Sequence, residues 1–224
     1  MTQDAERLHN LLARFRKLQV IAPHPDDEVF GAAGLIQQAA MQGLQVTIHI
    51  ATDGEKCFGT LPTPEETALR SVRRQESIAA SHVLGYAEPQ FWDCGDGALS
   101  LKQSCLRTRI QQNDTLDTLW LGPWQEDGHP DHNAVGQVLA ALQVPALYYL
   151  VWGRLDGAPR LEGLMSSAYP MTFGLSPMQW ARKHRASQCF KSQFDGNPFQ
   201  QRAIITPQHL RHFIAEHEVY CYGH

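Results

Sequence analysis

Gln19-Val-Ile-Ala-Pro-His-Pro-Asp-Asp-Glu28 runs from an apolar stretch straight into a cluster of metal-capable side chains. Val20, Ile21 and Ala22 read as a buried strand, which Pro23 and Pro25 end because neither can donate to a sheet ladder. Pro25 suits the first position of a following helix, and the acidic residues behind it suit the positive end of that helix's dipole. From Val29 to Met41 the apolar residues recur at helical spacing, through Phe30, Leu35, Ile36 and Ala39. His24, Asp26 and Asp27 are therefore expected at the carboxyl end of a strand, where open α/β sheets bind their ligands.

Imidazole and carboxylate are donors that zinc accepts, and His24 and Asp27 lie one helical turn apart, so both can face one ion. Asp26 points elsewhere and can reach a water on that ion, where a general base is needed. An isolated Asp-Asp pair would ordinarily be read as helix capping. A second stretch overturns that reading. Thr118-Leu-Trp-Leu-Gly122 is again strand-like, Pro123-Trp-Gln-Glu-Asp-Gly128 follows, and His129-Pro-Asp-His132 opens another helical pattern. In an open sheet both clusters emerge from the same edge. His24, Asp27, His129 and His132 are then the candidate ligands. A closed set of four would be structural, whereas a hydrolytic site keeps one position for water and frees the fourth residue for acid or oxyanion work.

The rest of the chain supplies the frame. Leu44–Ala51, Gln90–Asp93 and Ala146–Trp152 read as further strands, and residues 64–84, 100–113 and 132–142 as helices between them. The reading is an α/β fold: a Rossmann-like, mostly parallel sheet of five or more strands with helices on both faces. Beyond Trp152 the alternation weakens, and loops or short antiparallel pieces are expected over Gly153–Ser176. Ser176-Pro177 opens a helix running to about Phe194, and Pro207–His217 is a final helix. One domain over residues 1–224 is expected, with residues 1–18 as an N-terminal helical extension that packs by Leu8, Leu11, Leu12 and Phe15. Residues 153–224 would shape the pocket. Asp53, beside Gly54, reads either as a turn residue or as a neighbour of the metal or base.

A net charge of −4 offers no basic field for a nucleic-acid backbone. No apolar run approaches the roughly 20 residues of a membrane span, and the first residues are charged and amphipathic rather than signal-like. A cytoplasmic protein without nucleic-acid partners is expected, and a homo-oligomer stays open. Cys57, Cys94, Cys105, Cys189 and Cys221 are odd in number and lack C-x-x-C spacing, so reduced, mostly buried thiols are expected. His49, His82, His184, His209, His212, His217 and His224 have no paired strand-end setting and read as surface or satisfied core groups.

The two clusters together resemble the PIG-L/LmbE family of zinc-dependent de-N-acetylases, which remove acetyl groups from N-acetylated amino sugars and related amides. The likeness extends from about residue 19 to 194. It takes in Arg73-Arg-Gln-Glu76 with Ala79, Ala80 and Leu84-Gly85, Asp96 in Gly95-Asp-Gly97, and Lys183 with Ala186 and Ser192-Gln193. The resemblance implies His24, Asp27 and His132 as ligands of Zn²⁺, with Fe²⁺ or another divalent ion as the alternative. It implies Asp26 as general base, His129 as the oxyanion-stabilising group, Asp131 as the residue orienting His129, and Arg73 and Asp96 as substrate contacts. The substrate it implies is a small N-acylated sugar or conjugate. Two other readings compete: a metal-dependent phosphohydrolase, whose sites commonly pair two ions, and a homologue that keeps metal and ligand but has lost catalysis.

Overall fold

Leu18, Val20 and Ala22 pack to one side of a strand and Ile21 to the other, so this strand is buried on both faces. That is the pattern of a central parallel strand. The structure, a computed structural model, describes residues 2–155 and 169–223. Its elements in chain order are α1 Gln3–Leu12, β1 Lys17–Ala22, α2 Asp27–Met41, β2 Gln45–Ile50, α3 Thr63–Leu84 and β3 Gln90–Phe91. They continue with α4 Gln103–Asn113, β4 Thr118–Pro123, α5 Pro130–Leu142, β5 Ala146–Tyr149 and β6 Tyr169–Gly174, then α6 Pro177–Ser187, α7 Pro207–Phe213 and β7 His217–Gly223.

The sheet order is β3-β2-β1-β4-β5-β7-β6. β1 pairs in parallel with both β2 and β4, and β3 and β5 extend the parallel part. From β1 the chain winds outward to β2 and β3, then crosses back to β4 on the opposite side of β1. The switch point of the sheet therefore lies between β1 and β4, at whose carboxyl ends the two histidine clusters sit. One core layer holds α1 and α2 by Leu8, Leu12, Phe30 and Leu35; the other holds α4 and α5 by Leu106, Ile110, Val135 and Leu139. Helices thus cover both faces, as the alternating pattern required.

The C-terminal part departs from expectation. The helix read as reaching Phe194 ends at Ser187, although its start is as expected, with Ser176 capping and Gln179 closing a capping box. Past Ser187 the chain is captured by α3: Ser192 donates through both its N–H and its hydroxyl to the Glu76 carboxylate at 2.7 and 2.6 Å. The helix read as reaching His217 ends at Phe213, and residues from His217 form β7, antiparallel to both β5 and β6. β6 is one of the antiparallel pieces expected in that region; residues 156–168, to which the same expectation applied, lie outside the described residues.

β7 also anchors α2. Glu218 is fully buried, accepts from the N–H groups of Gly34 and Leu35, and pairs with the buried Lys183 at 2.8 Å. Lys183 in turn donates to the Phe30 carbonyl at 2.8 Å. A buried pair of this kind is costly to break, because the survivor is left charged without a partner. One turn earlier in α2 the Tyr149 ring occupies the space a side chain at Gly31 would need, and its hydroxyl donates to the Ile21 carbonyl of β1 at 2.9 Å. Both contacts fix the helix that begins with Asp27.

The five cysteines are free, but only Cys94 and Cys221 are buried; Cys57, Cys105 and Cys189 are half-buried. The expectation of mostly buried thiols is corrected accordingly. No described helix is long and apolar enough to cross a membrane.

Candidate metal centre and active site

α2 does not begin at Pro25. Asp26 occupies the N-cap position in a left-handed conformation, φ 111°, and its carboxylate makes no capping hydrogen bond. Such a backbone is strained for a residue with a Cβ. It is held by a hydrogen bond from the Asp26 N–H to the Glu28 carboxyl and by the Asp26 carbonyl, which accepts from Val29 and Phe30. The turn leaves the Asp26 side chain facing the cleft while Asp27 faces the opposite histidine cluster. α5 behaves differently: Pro130 does lie in its first turn, and His129 is the N-cap, its Nδ1 accepting from the Asp131 N–H.

Asp27 is the meeting point. Its Oδ2 lies 3.1 Å from His24 Nδ1 and 3.0 Å from His132 Nε2. The far nitrogens of both rings are engaged by carboxylates: His132 Nδ1 by Asp127 at 2.8 Å, and His24 Nε2 by Asp96 at 3.1 Å and Asp131 at 3.3 Å. Asp27 and these carboxylates can only accept, so without an ion both nitrogens of each ring can carry protons, whereas with a cation beside Asp27 the far nitrogens would be the ones to keep theirs. His132 Nε2 and His24 Nδ1 would then offer lone pairs beside the Asp27 oxygen, and His132 Nε2 is buried without a hydrogen-bond partner. Three electron pairs converging in a buried space fit a cation, and one carboxylate with two imidazoles is a donor set zinc or iron accepts. Carboxylates behind ligand histidines are the usual means of fixing tautomer and orientation. Ring nitrogens of His24, His129 and His132 also lie within 4.8 Å of one another, as do donors of His24, Asp96 and Asp131.

The electrostatics agree with that demand for positive charge. Burial opposes ionisation of Asp27, yet His132 and His24 hold its pKa far below the usual carboxylate range. Burial likewise opposes charge on His132, but Asp27 and Asp127 push its pKa up to about 9. Asp26 goes the other way: burial lifts it to about 7, with Arg73 pulling against the rise. Burial, reinforced by the neighbouring histidines, lowers His129 to about 4, so that ring is neutral at neutral pH. Its Nδ1 is an acceptor, so its proton is on Nε2.

The remaining expected residues sit in the site with different contacts from those the resemblance implied. The Asp131 carboxylate reaches not His129 but His24 and the N–H groups of Gly97 and Leu99; it is the backbone of Asp131 that holds His129. Geometry is the reason, since the first turn of α5 directs that N–H at its own N-cap. Asp96 spends one oxygen on His24 and the other on the Lys56 N–H at 2.7 Å. Arg73 is buried and bonds the carbonyls of Gly54 and Pro25 and the Asp26 carboxylate at 2.9, 2.6 and 3.1 Å. Asp53 touches neither metal ligands nor base but is clamped by both Arg74 and Arg70.

These groups open onto a cleft of about 370 Å³. His24, Asp26, Asp27, Arg73, Asp96 and His129 are among its polar lining residues, and Phe30, Val151, Trp152, Ile204, Ile205 and Phe213 make up its apolar lining. Sequence reasoning did not single out Asp127, although an acidic residue in a strand-end loop just before the second cluster was a usable signal. Nor did it find Glu28's hold on Asp26 or the apolar wall, whose members come from separate segments with no shared motif.

Residues 19–143 match the family model described as PIG-L, GlcNAc-PI de-N-acetylase. The chain belongs to this de-N-acetylase family. A diacetylchitobiose deacetylase of Thermococcus kodakarensis is 31% identical over 128 residues, 54% of this chain and 46% of that protein. A probable N-acetyl-alpha-D-glucosaminyl L-malate deacetylase 2 of Bacillus subtilis is 30% identical over 135 residues, 58% of this chain and 59% of that one. The matches thus span about half of those PIG-L relatives. Among solved structures, a conserved protein of Thermus thermophilus superposes with TM-score 0.58 at 25% identity, covering 82% of each chain. A deacetylase of the teicoplanin biosynthetic pathway, a triple mutant, superposes with TM-score 0.65 at 19% identity over 92% of this chain and 97% of that one. The PIG-L fold is therefore shared over most of the described chain, well beyond the segment matched in sequence.

Proposed function

We propose that this PIG-L protein is a zinc-dependent amide hydrolase that removes an acetyl or short acyl group from an N-acylated amino sugar or sugar conjugate. The observation that carries the reading is the convergence of His24 Nδ1, Asp27 Oδ2 and His132 Nε2 beside the uncapped Asp26 carboxylate. A divalent ion held by those three residues would supply activation of water and polarisation of the amide carbonyl. Asp26, lifted to about 7 by burial, takes the proton of the attacking water and returns it to the leaving nitrogen. Arg73 keeps that carboxylate in place from the side of α3. His129, neutral with its proton on Nε2, donates to the oxyanion as the carbonyl becomes tetrahedral. The products are a short carboxylic acid and a free amine. The deacetylase names of the relatives support an N-acetylated sugar as the substrate class.

The test is amine release from a panel of N-acetylated amino sugars and their conjugates, with zinc-loaded protein and Asp26→Ala as the blank. Release by the wild type alone supports the reading. Phosphate release from sugar phosphates, with two ions bound per chain, would replace it by the phosphohydrolase alternative.

A further inference from the structure

We propose that Cys94 and Cys105 form a peroxide-sensitive dithiol whose closure to a disulfide weakens the support of His24. The two sulfurs lie 3.5 Å apart, in contact across the segment that joins β3 to α4. Cys94 is buried beside Trp92 and Leu99, whereas Cys105 is half-buried in the first turn of α4. Cys105 also lines a surface cleft of about 440 Å³ with Ser104, Thr108, Arg109 and Gln112, through which a small oxidant can reach it. Core packing accounts for Cys94 by itself; it does not call for a second sulfur, open to solvent, against it.

Cys94 opens the strap that holds His24. Its N–H donates to the Ala51 carbonyl and its carbonyl accepts from Lys102 Nζ at 2.6 Å. Two residues on, Asp96 Oδ1 stands 3.1 Å from His24 Nε2, and the Gly97 N–H holds the Asp131 carboxylate at 2.8 Å. A disulfide bond is about 2.05 Å long, so the sulfurs must close by roughly 1.5 Å. That movement pulls on the start of the strap, on the side where Asp96 meets the histidine.

The chemistry needs hydrogen peroxide as the oxidant. The Cys105 thiolate attacks one peroxide oxygen, the O–O bond breaks, and hydroxide leaves to be protonated to water, giving a sulfenic acid. Cys94 sulfur then attacks Cys105 sulfur; the S–O bond breaks and a second water leaves with the Cys94 proton. Two thiols lose two electrons and one peroxide becomes two waters. Burial and the adjacent Cys105 raise the Cys94 thiol to about 12, so the half-buried Cys105, which lines the surface cleft, is the thiol that meets peroxide first.

The experiment treats the full chain with a few equivalents of hydrogen peroxide, blocks remaining thiols with N-ethylmaleimide, and digests with trypsin without reduction. The expected product joins residues 75–102 to residues 103–107, two hydrogens lighter than the separate peptides. In parallel, Co²⁺ titration of the oxidised chain should show affinity lowered by about tenfold, the scale of losing an outer-shell partner, and restored by dithiothreitol. Cys105→Ser and Cys94→Ala should both make Co²⁺ binding indifferent to peroxide. Sulfinic acid on Cys105 without the linked peptides would overturn the dithiol. The coupling to His24 rests on the metal-site reading above, and the two fail separately. Linked peptides with unchanged Co²⁺ affinity would overturn the coupling. Linked peptides in a wild type that binds no Co²⁺ would overturn the metal site and the coupling together, while upholding the dithiol.

Discussion

The Asp127 carboxylate accepts the Nδ1 proton of His132 at 2.8 Å, and this one contact turns the opposite nitrogen of the ring toward Asp27. Asp127 also accepts from the N–H groups of Val151, Trp152 and Gly153, so the end of β5 and the second histidine cluster are pinned to one side chain. Asp127→Asn keeps an acceptor oxygen for the backbone but can place an amide N–H against the ring, which favours the wrong tautomer. Metal affinity, read by Co²⁺ titration, should fall about 10- to 100-fold with little change in the far-UV spectrum. Unaltered affinity would show that the tautomer is set by something other than Asp127.

Asp26 and Asp27 are neighbours with separable duties. Asp26→Asn should lower turnover by roughly 10²- to 10⁴-fold, the usual range for a lost general base, with bound zinc near the wild-type level. Asp27→Ala and His132→Ala should instead lose zinc, as measured by elemental analysis after dialysis. Full activity in Asp26→Asn would remove it from the base role.

Away from the site, His49 is a buried neutral histidine. Its Nε2 lies 2.6 Å from Gln19 Oε1, between the rings of Trp92 and Trp120. Burial lowers its pKa from 6.5 to about 4. A depressed folded pKa means that below 6.5 the unfolded chain binds the proton more readily. The stability this group contributes is present above pH 6.5 and lost as pH falls toward 4, by roughly 3 kcal/mol at 1.36 kcal/mol per unit. His49→Gln should flatten that slope. Urea midpoints of both proteins at pH 7.5 and 4.5 give the comparison, and equal slopes would refute the assignment.

Gly136 lies in α5, where alanine would ordinarily be preferred by about 1 kcal/mol. Here a Cβ would stand 2.6 Å from the Gln125 nitrogen and 2.7 Å from the Pro123 carbonyl oxygen. Those are backbone atoms of the loop leading to Asp127 and cannot swing aside. Gly136→Ala should therefore destabilise by about 1–3 kcal/mol and lower metal affinity with it. Gly174→Ala, where a Cβ meets nothing within 4 Å, is the control and should stay within about 0.5 kcal/mol.

Local chemistry was enough to read the parallel half of the sheet, the placement of both His-Pro-Asp turns at strand ends, and the identity of the residues that meet there. Periodicity, proline and short-range spacing are properties of neighbours in sequence, and β1 through β5 are written in them. The direction each carboxylate faces is not. Asp131 turning to His24, Asp96 sharing that ring, Asp127 holding His132 and Arg73 gripping Asp26 all join segments that are distant in sequence or depend on one turn's φ. The same holds for β7, whose aromatic alternation is short and follows a helix that stops early. Its identity as a strand comes from pairing with β5 and β6 and from the buried Glu218–Lys183 contact. Residue types and their spacing determined which groups could do the chemistry; only the packed tertiary structure decided which atom of each is protonated, held or free, because burial and long-range partners set those states.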